Sequence, residues 1–161
     1  MSEISNAIQQ KCLAFGDRII KLNDYLLEQA ASKRYEGGSQ KADRRAKTQT
    51  SSVRHQTCRI PVHLQAISNL CNQLLRAGTS IGANNAEACN AVSKADFKSK
   101  SFIALKEARE SLYWIDLLHR NGYLDDKQYN SIYADCEELV KILVTRCKTL
   151  NTVEDKEEAK K

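Results

Sequence analysis

Apolar residues return every three or four positions in four separate stretches of this chain, and no stretch alternates apolar and polar residues with a period of two. In the first stretch Ile8, Cys12, Phe15, Ile19, Leu22 and Leu26 are spaced four, three, four, three, four. That spacing places them on one face of an α-helix, since 3.6 residues complete a turn. A second stripe runs through Ile67, Cys71, Leu74, Gly78, Ile81, Asn85 and Ala88. A third is Leu105, Ala108, Leu112 and Ile115, and a fourth is Tyr129, Ile132, Cys136, Leu139 and Leu143, continued by Arg146 and Leu150. A single proline in 161 residues agrees with an all-α chain.

The stripes and their punctuation predict helices over about 4–29, 61–91, 94–121 and 125–150. Pro61 suits a first helical turn, where its missing N–H costs nothing. Ser93 with Asp96, and Asp125 with Gln128, are spaced as capping boxes, and Asn121-Gly122 is a stop signal. Four helices of roughly 38–44 Å at 1.5 Å per residue match in length. Their short connections at 92–94 and 122–125 force antiparallel neighbours. The expected architecture is one domain, 1–161, an antiparallel up-down-up-down four-helix bundle with a long insert between helices 1 and 2. Residues 151–161 are expected to fray.

The insert, 32–60, loses hydrophobic periodicity and is expected to be flexible, solvated chain. It carries Lys33, Arg34, Lys41, Arg44, Arg45, Lys47, Arg54 and Arg59 against Glu36 and Asp43 only, a net +6 in a chain whose total is +5. Eight cations in so short a segment exceed what solubility needs and point to phosphates, so these eight are the candidate nucleic-acid contacts. Lys11, Arg18 and Arg146 are the next basic residues to consider.

Residues 74–88, LLRAGTSIGANNAEA, put Gly78, Gly82, Thr79, Asn84 and Asn85 inside the second helix. The two glycines cost about 1 kcal/mol each relative to alanine. Close approach of a neighbouring helix is the available compensation, with Ser80, Asn84 and Glu87 forming an adjacent polar stripe. Small and polar stripes beyond the needs of one core suggest a homo-oligomer.

The run QLLRAGTSIGANNAEA, then SKADFKSKSFIALKEARESLYWIDLLHRNGYL, and the earlier phrase FGDRIIKLNDYL closely resemble the four helix bundle protein family, also called the S23 or 23S rRNA intervening-sequence protein family. Ser80, Ile81, Asn84, Ala86 and Glu87 carry its most specific pattern. The resemblance implies an up-down bundle assembling into rings, usually pentamers. Some relatives are encoded in inserts of ribosomal RNA genes, and structural cousins act as nucleic-acid-binding accessories to a reverse transcriptase. The chain departs from the pattern at Asn85, where an aliphatic residue is expected, at Leu112, where relatives often carry an acid, and in its basic insert.

No catalytic constellation stands out, and the chain reads as a non-enzyme without cofactor. Ser80 has no evident base, since His119 lies near the far end of another helix. His55, Cys58, His63 and Cys71 lack standard zinc spacing, and Glu87 with Glu107 or Glu110 lacks the Glu-x-x-His pairs of a di-metal bundle. The six cysteines include no CxxC and fall partly on apolar faces, the habit of reduced core thiols. Trp114, beside the third stripe, is an interface candidate. With no apolar signal segment or membrane span, a cytoplasmic location is expected. Together these features suggest a ring-forming scaffold for RNA or DNA, with a reverse transcriptase as a conceivable protein partner. The first rival is a protein-interaction adaptor without a nucleic-acid role, and the second is an enzyme or metalloprotein.

Overall fold

The structure is a computed structural model that describes residues 3–39 and 62–158, with side chains over 3–32 and 64–152. All its regular secondary structure is helical: α1 (Glu3–Ser39), α2 (Val62–Cys89), α3 (Lys94–Arg120) and α4 (Asp126–Glu158). Each helix packs on its neighbours in sequence, and α4 closes the ring of contacts by a thinner seam onto α1. Cross-links run in opposite senses along each seam. Lys11 meets Glu138 while Arg18 meets Ser131, and Ala108 meets Cys136 while Asp116 meets Tyr129. The result is the expected antiparallel four-helix bundle. No described helix is long and apolar enough to cross a membrane.

The stripes read from the sequence form the core. Phe15, Ile19, Ile81, Ile115, Leu139 and Leu143 are among its fully buried large side chains. On α2, every stripe position from Ile67 to Ala88 is buried, Gly78 and Asn85 included. On α3 the stripe is rotated slightly, with Ala104, Ser111 and Leu118 buried and Leu112 only partly so. On α4 burial passes from Leu143 to Cys147, leaving Arg146 at the edge.

Local chemistry accounts for the helix ends. Ser93 Oγ accepts from the Asp96 N–H at 3.1 Å and Asp96 Oδ2 from the Val92 N–H at 3.2 Å, opening α3. Gly122, at φ +71°, closes it in the left-handed conformation, with Tyr123 N–H reaching Leu118 O at 3.0 Å and Gly122 N–H reaching His119 O at 2.9 Å. Asp125 and Gln128 then exchange side chain–backbone bonds at 2.7 and 3.0 Å, the expected capping box of α4.

Two boundaries differ from expectation. α1 continues ten residues past Gln29 to Ser39, so the first part of the expected insert is helical. α4 continues to Glu158 through the stretch expected to fray. Both extensions lack an apolar stripe, which is why periodicity missed them. The first carries Ala30, Ala31, Lys33, Arg34 and Glu36 ahead of Gly37-Gly38, and the second Glu154, Lys156, Glu157 and Glu158, residues that prolong a helix already nucleated. The rest of the insert, 40–60, and Pro61, expected in the first turn of the second helix, lie outside the described residues.

Candidate nucleic-acid interface

The glycines of α2 face α1. A Cβ on Gly78 would sit 3.0 Å from Ile19 Cγ1, and one on Gly82 would sit 3.4 Å from Cys12 Cβ. The approach is tight at Gly78 and an ordinary contact at Gly82. Ile81 is fully buried between them. The polar stripe is tied down as well: Asn84 donates to Ser80 O at 2.9 Å and Glu87 pairs with Lys100 of α3. That pair sets Ser80 level with about residue 107, so His119 is roughly 18 Å further along α3. His119 instead hydrogen-bonds Asp126 at 2.8 Å and stacks on Tyr129, 4.1 Å between centroids. The Tyr129 hydroxyl donates to Asp116 at 2.8 Å, and this bond pushes its pKa up to about 12.

Asn85 joins three helices. Its amide donates to Gln9 Oε1 of α1 and its Oδ1 accepts from Arg146 Nη1 of α4 at 2.7 Å. The guanidinium also lies over the Phe97 ring of α3, 5.6 Å from its centroid. Asn85 and Arg146 both stand out in the sequence as polar residues on apolar stripes, but nothing there pairs them or points to Gln9. Cys12, Cys71, Cys136 and Cys147 are buried thiols of this core. Burial pushes Cys12 and Cys71 up to about 11 and Cys136 to about 12, and Cys136 Sγ donates to Ala108 O at 3.3 Å. All five described cysteines are unpaired thiols. Among the described residues no group of three or more His, Cys, Asp or Glu could hold a metal, while His55 and Cys58 lie outside them.

Of the eight candidate nucleic-acid contacts, Lys33 and Arg34 lie on the last turns of α1 with their side chains outside the described residues. Lys41, Arg44, Arg45, Lys47, Arg54 and Arg59 lie wholly outside them. The secondary candidates are engaged internally. Lys11 pairs with Glu138 at 2.8 Å, Arg18 with Asp135 and Ser131, and Arg146 with Asn85.

Basic residues that drew no attention in the sequence occupy a groove between α3 and α4 instead. Phe102, Lys106 and Arg109 of α3 face Val144, Lys148 and Asn151 of α4 across a volume of about 410 Å³. The spacing of 102, 106, 109 and 113 places Phe102, Lys106, Arg109 and Tyr113 on one helical face. Counting charge over the whole body, which is near neutral, concealed this clustering. Trp114 turns the other way, half-buried against the core, with its indole N–H donating to Glu110 at 3.1 Å. A separate shallow groove between α1 and α2 is lined by Leu13, Gly16, Ile20, Gly82, Ala83 and Ala86.

The family model described as 23S rRNA-intervening sequence protein matches residues 44–145, which span α2, α3 and most of α4. The chain belongs to this family. A crystal structure of a protein of unknown function from the S23 ribosomal protein family of Bacteroides thetaiotaomicron VPI-5482 is 34% identical in sequence. It covers 89% of this chain and 97% of its own, with a TM-score of 0.64. No curated protein matches the chain. The S23 resemblance read from residues 12–30 and 64–150 is thus met by the family match and by a solved structure of the same four-helix form.

Proposed function

We propose that this S23-family protein is a non-enzymatic scaffold that assembles with copies of itself, most simply as a pentamer, and holds RNA or DNA. The observation that carries the nucleic-acid part is the charge asymmetry: +6 concentrated in 32–60 on a body that is otherwise near neutral. Such a segment recruits phosphates with little sequence preference, because released counterions supply the free energy. The family description ties its members to 23S rRNA intervening sequences, which makes RNA the first ligand to test. A reverse transcriptase is the protein partner to test after it.

Assembly is supported by what the bundle leaves over. Gly78 is packed against α1, but Leu13 and Ile20 remain 51% and 45% exposed beside Gly16, Gly82, Ala83 and Ala86. A small-residue floor with an apolar rim suits close approach by another helix.

The test is RNA retention and light scattering on the full chain and on a variant with 32–59 replaced by a short Gly/Ser linker. Binding at low salt that weakens in the variant, with log K against log salt flattened by several times 0.7–0.9, is expected. A full chain that retains neither RNA nor DNA but captures an acidic protein would establish the adaptor role instead. A strict monomer at micromolar concentration would refute assembly.

A further inference from the structure

We propose that the α3–α4 groove is a single-strand binding track, in which Lys106, Arg109 and Lys148 hold phosphates and Phe102 stacks a base. This inference rests on the nucleic-acid reading above and gives it a site on the folded body. The groove is open and none of its lining residues is acidic. Lys106, Arg109 and Lys148 are exposed and have no ion-pair partner among the described residues. Away from the groove, Lys11, Arg18 and Lys141 are each held by a carboxylate, while Lys21, Arg76, Arg120 and Lys127 are exposed and line no part of it. Unpaired cations gathered on both walls of one groove produce a local positive field that a solvated, salt-bridged face lacks.

The aromatic component selects the form of the polyanion. Phe102 is 38% exposed at the groove, with Lys98 Nζ 6.0 Å from its ring centroid. An exposed ring between cations offers a base a stacking platform while the cations follow the backbone. Arg109 adds a planar fork for two phosphate oxygens. Packed helices lie about 8–10 Å apart, which suits one strand and is too narrow for a duplex to settle into. A duplex also keeps its bases stacked internally, away from Phe102. An acidic peptide would satisfy the cations but would leave the ring without a partner.

The experiment measures binding of a fluorescently labelled single-stranded oligouridylate to the full-length chain across a salt series. A duplex of equal length and unlabelled poly-glutamate serve as the comparison ligands. Helicity and light scattering establish that each variant retains the fold and assembly of the parent. Lys106→Gln/Arg109→Gln/Lys148→Gln should weaken single-strand binding on the order of 100-fold at 0.1 M salt and flatten the salt slope by about 2. Phe102→Leu should weaken it about tenfold with the slope unchanged, Phe102→Tyr should restore it, and duplex binding should not respond to either. Oligouridylate binding by the parent with no change in the triple variant would overturn the groove and leave the basic segment as the site. Equal losses on single strand and duplex in Phe102→Leu would overturn the single-strand preference. Displacement by poly-glutamate together with indifference to Phe102→Leu would assign the groove to acidic proteins. Failure of the parent itself to bind any nucleic acid would remove the underlying reading along with the groove.

Discussion

Arg146 of α4 donates a hydrogen bond to the side-chain oxygen of Asn85 of α2 at 2.7 Å, linking helices on opposite corners of the bundle. Asn85 is fully buried, so its amide depends on Arg146 and Gln9 for partners. Truncating it leaves both unsatisfied at the edge of an apolar core. Asn85→Ala is expected to cost about 2–4 kcal/mol in chemical denaturation, and Arg146→Met less, because the guanidinium is partly exposed. A double-mutant cycle should return a coupling of about 1–3 kcal/mol. Additive losses would mean that the two residues act independently.

Gly78 and Gly82 should respond differently to alanine although both lie in the middle of α2. At Gly82 a methyl group meets Cys12 at ordinary contact distance, so Gly82→Ala should raise stability by about 0.5–1 kcal/mol through helix propensity. At Gly78 the methyl group is pressed to 3.0 Å from Ile19, which is fully buried and has nowhere to retreat. Gly78→Ala should therefore be neutral or destabilising by about 1 kcal/mol. Equal thermal shifts in the two variants would refute this packing.

Gly16 separates the needs of the subunit from those of the assembly. Among the described residues nothing lies within 4 Å of a Cβ built there, so the isolated bundle gains about 1 kcal/mol of helix propensity from Gly16→Ala. If another copy packs into the α1–α2 groove, Gly16→Leu should weaken assembly in light scattering while leaving helicity unchanged. An unaltered oligomer would move the interface elsewhere.

Buried thiols make stability fall at alkaline pH. Cys12 and Cys71 ionise near 11 and Cys136 near 12 in the folded chain, against 9.0 for the ordinary thiol. Between those limits the unfolded chain has released the proton and the folded chain retains it. Stability is thus intact below pH 9 and declines above it, by about 1.4 kcal/mol per pH unit for each such thiol. Denaturation between pH 8 and 11 should show this slope, and it should shrink in Cys136→Ala. Under native conditions Cys89, which is only partly buried, should react with a thiol reagent before Cys12, Cys71 or Cys136.

Ser101 is fully buried and its hydroxyl has no hydrogen-bond partner among the described residues. Removing it should relieve a desolvation cost, so Ser101→Ala is expected to raise stability by about 1 kcal/mol or leave it unchanged. A loss of comparable size in thermal melts would show that the hydroxyl has a partner.

The sequence alone determined the number of helices, the inward faces of α1 and α2 and the caps of α3 and α4, because these are set within a few turns of chain. The α2 stripe from Ile67 to Ala88 and the Asp125–Gln128 box are read from spacing and remain in place when folded. Helix length escaped it at Ser39 and Glu158, where the chain stays helical after the apolar spacing has ended. What spacing cannot express is contact between helices far apart in the chain. The pairing of Gln9, Asn85 and Arg146, and the facing of Lys106 and Arg109 with Lys148, depend on the order and rotation of the helices around the core. Those are outcomes of side-chain interlocking across the whole bundle, so only the tertiary structure decided that Arg146 faces inward to an amide and that three other cations remain open to solvent.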